Sequence, residues 1–157
     1  MDNFRKATYL KLLFLLCVAI LITAYSIQYV FGFQPCNLCI VERIPFMLAI
    51  IVLILNYKFK KNELFHSILL MMIFTFSFLI SVYHFGIEQG FIDESIVCGV
   101  NKADLTTKED ILKSLQNINV SCKDVAFKIF DLSLTTYNML ISIIMLLISL
   151  KIYLINN

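Results

Sequence analysis

Four unbroken apolar stretches dominate the chain. They run from Leu10 to Phe31 with Lys11 at the edge, from about Leu38 to Tyr57 with Glu42 and Arg43 near the start, from Leu64 to Phe85, and from Leu132 to Ile155. Each reaches the roughly 20 residues a helix needs to cross about 30 Å of hydrocarbon. Barrel strands alternate apolar and polar positions, and these runs do not, so a membrane barrel is excluded. The pattern predicts an all-α membrane protein forming one domain over 1–157. Its four-transmembrane-helix bundle would have helices at about 10–31, 38–57, 64–85 and 132–155, with one long outward-facing loop over 86–131.

The first stretch is expected to remain as an anchor. The hydrophobic part of a signal peptide spans about 7–15 residues, and no convincing small-residue cleavage site follows Phe31. Within the long loop, Thr106 and Glu109 fit a capping box, and Ile111, Leu112, Leu115 and Ile118 fall on one helical stripe. This predicts a short amphipathic helix. A second amphipathic piece, Val125 to Phe130, is expected to lie flat on the membrane.

Composition strengthens the membrane reading. The 157 residues are 60% hydrophobic and 15% charged, with a mean hydropathy of +0.85, more apolar surface than a small soluble domain can hide. A net charge of +2 gives no sign of a nucleic-acid surface or an acidic substrate. With 14 Phe, 7 Tyr and no Trp, any aromatic belt is built from Phe and Tyr.

Lysine and arginine set the orientation. Arg5, Lys6 and Lys11 precede the first helix, and Lys58, Lys60 and Lys61 cluster between the second and third. The positive-inside rule puts both groups, and both chain termini, in the cytoplasm. The connections at 32–37 and 86–131 then face outward. The five lysines and eight acidic residues of the longer one agree with this. The expected location is a bacterial inner (plasma) membrane, multi-pass, with the outward loops in the periplasm.

This orientation gives the cysteines meaning. Cys36 and Cys39 fall at the first outward connection and Cys98 and Cys122 at the second, while Cys17 sits mid-span as a small apolar core residue. The outer face of such a membrane is the oxidising one, where disulfides persist. Cys36-x-x-Cys39 places two sulfurs one helical turn apart, close enough to bridge. At a helix N-terminus such a dithiol has a lowered thiolate pKa. A helix from Ile44 to Tyr57 alone would be too short to span, so the second helix is expected to begin near Cys36–Leu38, with Pro45 kinking its interior.

Arg43 lies one turn deeper than Cys39 on the same face. Two readings stand: a charge that stabilises the Cys39 thiolate and a developing oxyanion, or a side chain snorkelling to headgroups, paired with Glu42. His84, beside Tyr83 at the outer end of the third helix, is either a hydrogen-bond donor to a quinone carbonyl or an interfacial residue. Cys98 and Cys122 read as a plain loop staple or as a second redox pair. A four-cysteine zinc site is disfavoured by the wide spacing of that second pair, so no metal is expected. A c-type haem would need His where Ile40 stands. Asn119-Val120-Ser121 matches a glycosylation sequon, a motif common by chance.

Taken in order, these residues resemble the DsbB family of disulfide bond formation proteins over nearly the full chain. The resemblance rests on Cys36-x-Leu38-Cys39-x-x-Glu42-Arg43 after the first helix, Tyr83-His84-x-Gly86, the pair Cys98 and Cys122, and Asp131-Leu132-Ser133-Leu134-x-x-Tyr137-Asn138. It implies a quinone-dependent thiol-disulfide oxidoreductase that reoxidises a DsbA-like thioredoxin-fold partner. Cys98 would form the mixed disulfide and Cys122 would exchange with Cys36. Cys39 would then deliver electrons to a quinone (ubiquinone or menaquinone) beside Arg43 and His84. The resting pairs are expected to be Cys36 with Cys39 and Cys98 with Cys122. The family resemblance also leaves open a branch that serves one dedicated substrate. Vitamin K epoxide reductase-like proteins carry their Cys-x-x-Cys after the loop cysteines, the reverse of the order here. A membrane adaptor with two structural disulfides is the non-enzymatic alternative, and a metal-handling protein would instead keep four reduced thiols.

Overall fold

The computed structural model describes residues 2–59, 62–93, 98, 121–123, 128–129 and 132–156. Helix α1 spans Asp2–Tyr29, α2 Asn37–Val41, α3 Ile44–Lys58, α4 Glu63–Glu88 and α5 Leu134–Asn156, and a two-residue ribbon pairs β1 (Lys128–Ile129) with β2 (Leu132–Ser133) antiparallel. Among the described residues, four segments are long and apolar enough to cross a membrane: Phe4–Tyr29, Asn37–Lys58, Glu63–Glu88 and Leu134–Ile155. The all-α four-span architecture therefore matches the sequence pattern. Thr106, Glu109, the stripe from Ile111 to Ile118 and the Asn119 of the sequon lie outside the described residues. Lys128 and Ile129, within the expected amphipathic piece, pair as a strand with Leu132 and Ser133, while Val125, Ala126, Phe127 and Phe130 of that piece lie outside the described residues.

The second span differs from the expected kinked helix. It is two helices, broken at Glu42–Arg43, and Pro45 sits in the first turn of α3. The reason is local. Proline has no N–H to donate and its ring crowds the carbonyl four residues back, so it is tolerated at a helix start and poorly in an interior. The Arg43 N–H bonds to the Ile40 carbonyl at 3.1 Å, a tightened turn that ends α2, and α3 restarts with the Met47 N–H on the Arg43 carbonyl.

The principal packing runs α1 on α3, α3 on α4, α4 on α5 and α5 on α1, a closed ring. Leu13, Cys17, Phe46, Ala49, Leu70, Phe74, Met145 and Ile152 fill its centre, so Cys17 is a core residue. Leu15, Ile22, Ile51, Ile54, Met72, Phe76, Leu79, Ile144 and Leu147 face outward, the surface a bilayer would cover. Lipid is as apolar as leucine, so packing and interhelical hydrogen bonds hold such helices together. Between α4 and α5, the Ser77 and Ser142 hydroxyls meet at 3.0 Å and Asn138 Nδ2 donates to Ser81 Oγ at 2.9 Å. At the end away from Cys36, Lys6 pairs with Glu63 and ties α1 to α4.

At the cysteine end, α4 stops cleanly. Gly90 adopts φ +75°, its N–H bonds to the Ile87 carbonyl at 3.0 Å, and the Phe91 N–H bonds to the Gly86 carbonyl at 2.9 Å. A left-handed residue just past a helix closes its last carbonyls this way, and glycine does so without strain. The chain then folds back over Gly86, where a Cβ would lie 2.7 Å from Ile92 Cδ1.

Candidate active site

Cys36 precedes α2 as its N-cap, with extended backbone, and its sulfur accepts the Cys39 N–H at 3.3 Å. This cap turns both side chains of the Cys-x-x-Cys inward. The two sulfurs lie 2.7 Å apart and are not joined as a disulfide in the structure. The Cys36 thiol is lowered to about 5 from an ordinary 9.0. The hydrogen bond from the Cys39 thiol contributes most, burial opposes, and the hydrogen bond and charge of His84 add to the lowering.

Cys98 and Cys122 are disulfide-bonded, and both are 2% exposed. Cys36, Leu38, Ile87, Cys98 and Cys122 form one buried cluster with Cys39 and Tyr83 packed against it. The structure thus brings all four predicted redox cysteines together at one end of the bundle.

His84 is enclosed by the protein. It is 1% exposed, with Nε2 3.5 Å from Cys36 Sγ. Its Nδ1 lies 3.2 Å from Glu42 Oε1 and 3.3 Å from Thr135 Oγ1. Thr135 donates to Glu88 Oε1 at 2.8 Å, and Ser133 donates to Glu88 Oε2 at 2.6 Å. Arg43 does not pair with its neighbour Glu42. Its Nη1 donates to Gln28 Oε1 at 2.6 Å, and its guanidinium lies 5.0 Å over the Tyr25 ring. The break between α2 and α3 accounts for the split, sending Glu42 towards α4 and Arg43 towards α1.

A cavity of about 400 Å³ opens beside these groups. Cys36, Cys39, Arg43, His84 and Cys122 line its polar part, and Leu16, Ile20, Ile27, Phe46 and Ile141 line its apolar walls. Such a pocket, mostly apolar with a few convergent polar groups, suits a flat hydrophobic ring with hydrogen-bonding substituents. The ligand atoms of Cys36, Cys39 and His84 also lie within 4.8 Å of one another, close enough to share a metal ion when both cysteines are reduced.

Sequence reasoning missed Gln28, Glu88 and Thr135. Glu88 carried a signal, since it follows His84 by one helical turn on the same face. Gln28 and Thr135 are single polar residues at helix ends, and only the three-dimensional packing joins them to the site.

A protein of Rickettsia prowazekii (strain Madrid E), named as uncharacterized, is 29% identical to this chain, covering 92% of it and 88% of the relative. No solved structure matches the chain. Residues 6–152 match the family described as disulfide bond formation protein DsbB. Four membrane-length helices, a Cys-x-x-Cys and a buried disulfide at one end fit a multi-pass thiol oxidoreductase, and the chain belongs to the DsbB family.

Proposed function

We propose that the chain reoxidises a DsbA-type, thioredoxin-fold dithiol oxidase on the periplasmic side of a bacterial inner membrane and passes the electrons to a membrane quinone. One observation carries this reading: Cys122 shares a buried cluster with Cys36 and lines the same cavity as Cys36 and Cys39. A loop staple has no need of that position.

Each exchange is a thiolate attack on a disulfide sulfur. A thiolate of the partner attacks Cys98, the Cys98–Cys122 bond breaks, and Cys122 leaves as a thiolate. Cys122 attacks Cys36 of a Cys36–Cys39 disulfide and releases Cys39. The partner's second thiolate then attacks its own sulfur in the mixed disulfide, leaving the partner oxidised and Cys98 free. Attack of Cys98 on Cys122 restores the loop disulfide and leaves Cys36 and Cys39 as a dithiol.

A DsbA-type partner is itself strongly oxidising, at about −120 mV, so the final acceptor must lie higher. Ubiquinone or menaquinone, when bound, supplies a two-electron, two-proton acceptor of that kind. The apolar cavity walls suit the ring and its tail. Arg43, already oriented by Gln28 and Tyr25, would hold a carbonyl oxygen, and Cys39 would face the ring. His84 stands on the cavity wall.

The test is quinone reduction by the purified protein supplied with a reduced thioredoxin-fold partner. Turnover should vanish in Cys36→Ser and weaken in Arg43→Ala. Absence of turnover with several quinones and partners, with the cysteines still bridged, would favour a membrane adaptor held by structural disulfides.

A further inference from the structure

The hydrogens on the His84 ring are fixed by its neighbours. Thr135 has one hydroxyl hydrogen, and it goes to Glu88 Oε1, an oxygen that accepts. At its 3.3 Å contact with His84 Nδ1, Thr135 must therefore be the acceptor. The other neighbour of Nδ1 is Glu42 Oε1, at 3.2 Å, which also accepts. Both contacts require the hydrogen on Nδ1. In the neutral ring the other nitrogen, Nε2, is then a bare lone pair, and it faces Cys36 Sγ at 3.5 Å.

We propose that Cys36, His84 and Glu42 form a catalytic triad, with His84 Nε2 as the general base and acid for Cys36 and with Thr135, held by Glu88, as a second positioning residue on the His84 ring. This is a different task from touching a quinone carbonyl. The inference rests on the proposed reading only in taking Cys36 as an exchange cysteine. The arrangement follows the logic of nucleophile, base and orienting acceptor, each within reach of the next and all buried.

The proton accounting is direct. Re-forming the Cys36–Cys39 bond breaks two S–H bonds and makes one S–S bond. The Cys36 proton goes to His84 Nε2, and a bound quinone would take up the electron pair, the Cys39 proton and then the proton held on Nε2. In the opposite direction, Cys36 is the leaving group when Cys98 attacks Cys122 of the Cys36–Cys122 bond, and a proton given up by the partner's thiols returns to it through the same imidazole. The titratable groups that face His84 are Cys36, Cys39 and Glu42 from the α2 segment and, through Thr135 of α5, Glu88 of its own helix. Arg43 is turned to Gln28 of α1, and Tyr137 of α5 lines the cavity.

The test needs neither quinone nor partner. In the reduced full chain carrying Cys98→Ser and Cys122→Ser, the rate of iodoacetamide alkylation at Cys36 is followed against pH by mass spectrometry. His84→Ala should move the profile up by at least about one pH unit, a tenfold loss of rate at pH 6, and added imidazole should restore part of it. Glu42→Gln, whose amide can donate to Nδ1, should place the ring hydrogen on Nε2 and slow alkylation, while Glu42→Asp should recover the profile. Nitrogen-15 NMR of the unsubstituted protein, with Cys36 and Cys39 joined as a disulfide, reads the tautomer of the neutral ring without any change in folding, and Nδ1–H is expected. An Nε2–H neutral ring, or a profile unmoved in a folded His84→Ala, overturns the triad. Quinone turnover with an unmoved profile would leave the relay standing and remove the triad. A moved profile without turnover would do the reverse.

Discussion

The Glu42 carboxylate reaches across to His84 Nδ1 at 3.2 Å and leaves the adjacent Arg43 to Gln28. Two charges that are neighbours in sequence thus serve opposite sides of one cavity. Glu42 orients the ring beside Cys36, and Arg43 stands beside α1 with its guanidinium over Tyr25.

Arg43→Lys should therefore be no conservative change. Lysine keeps the charge but loses the planar stacking on Tyr25 and the fixed fork of donors. KM for quinone is expected to rise about tenfold, with a smaller effect on alkylation of Cys36. Steady-state kinetics with a water-soluble quinone analogue would measure it, and an unchanged KM would place the acceptor elsewhere.

The pH dependence of stability has a definite sign in the reduced protein. The Cys36 thiol is lowered to about 5 in the folded chain from an ordinary 9.0. Between those values the unfolded chain holds more protons at this group, so stability rises with pH. The contribution is complete above about 9 and is lost as pH falls through about 5. Cys36→Ser should flatten that dependence in detergent unfolding experiments. Cys39→Ser changes the donor that contributes most to the lowering, and it should move the lower limb to higher pH.

Soft divalent cations should inhibit the reduced form. The donor atoms of Cys36, Cys39 and His84 lie within 4.8 Å of one another, and Glu42 on the far ring nitrogen is the kind of outer partner that raises metal affinity. One cadmium ion per reduced chain is expected, visible as thiolate charge-transfer absorbance. Binding should disappear in Cys39→Ser, fall about tenfold in Glu42→Gln, and be absent once the dithiol is oxidised. A chelator should restore turnover.

The hydroxyl pair between α4 and α5 gives a stability prediction far from the chemistry. Ser77 and Ser142 are fully enclosed and meet at 3.0 Å. A double-mutant cycle through Ser77→Ala and Ser142→Ala, read by unfolding in mixed micelles, should give a coupling of about 0.6 kcal/mol, the usual scale for such bonds in membrane helices. Zero coupling would mean that the helices are held at this level by packing alone.

The four spans were legible because lipid demands long apolar runs, and little else in the sequence can disguise or imitate them. The Cys-x-x-Cys was legible for a similar reason: a three-residue spacing survives folding. What stayed hidden depends on direction rather than identity. Glu42 reads as a partner of Arg43 until the break in the second span turns the two apart. Pro45 announced a disturbance, yet a kink and a restart differ only in where the neighbouring N–H groups go. Thr135 and Gln28 are ordinary residues in sequence, and they join the site through helix packing across the bundle. Burial of His84 depends on α5 closing over it, which no local pattern encodes.

The burial of the Cys98–Cys122 bond has a consequence for selectivity. Only 2% of each cysteine is exposed, so a small thiol diffusing past finds no sulfur to attack. In the proposed relay a reductant would first have to dock and expose the bond, which makes recognition a condition of electron entry. The proposed relay would thereby be insulated: free thiols in the same compartment could not discharge it, and its oxidising capacity would be kept for a protein that fits.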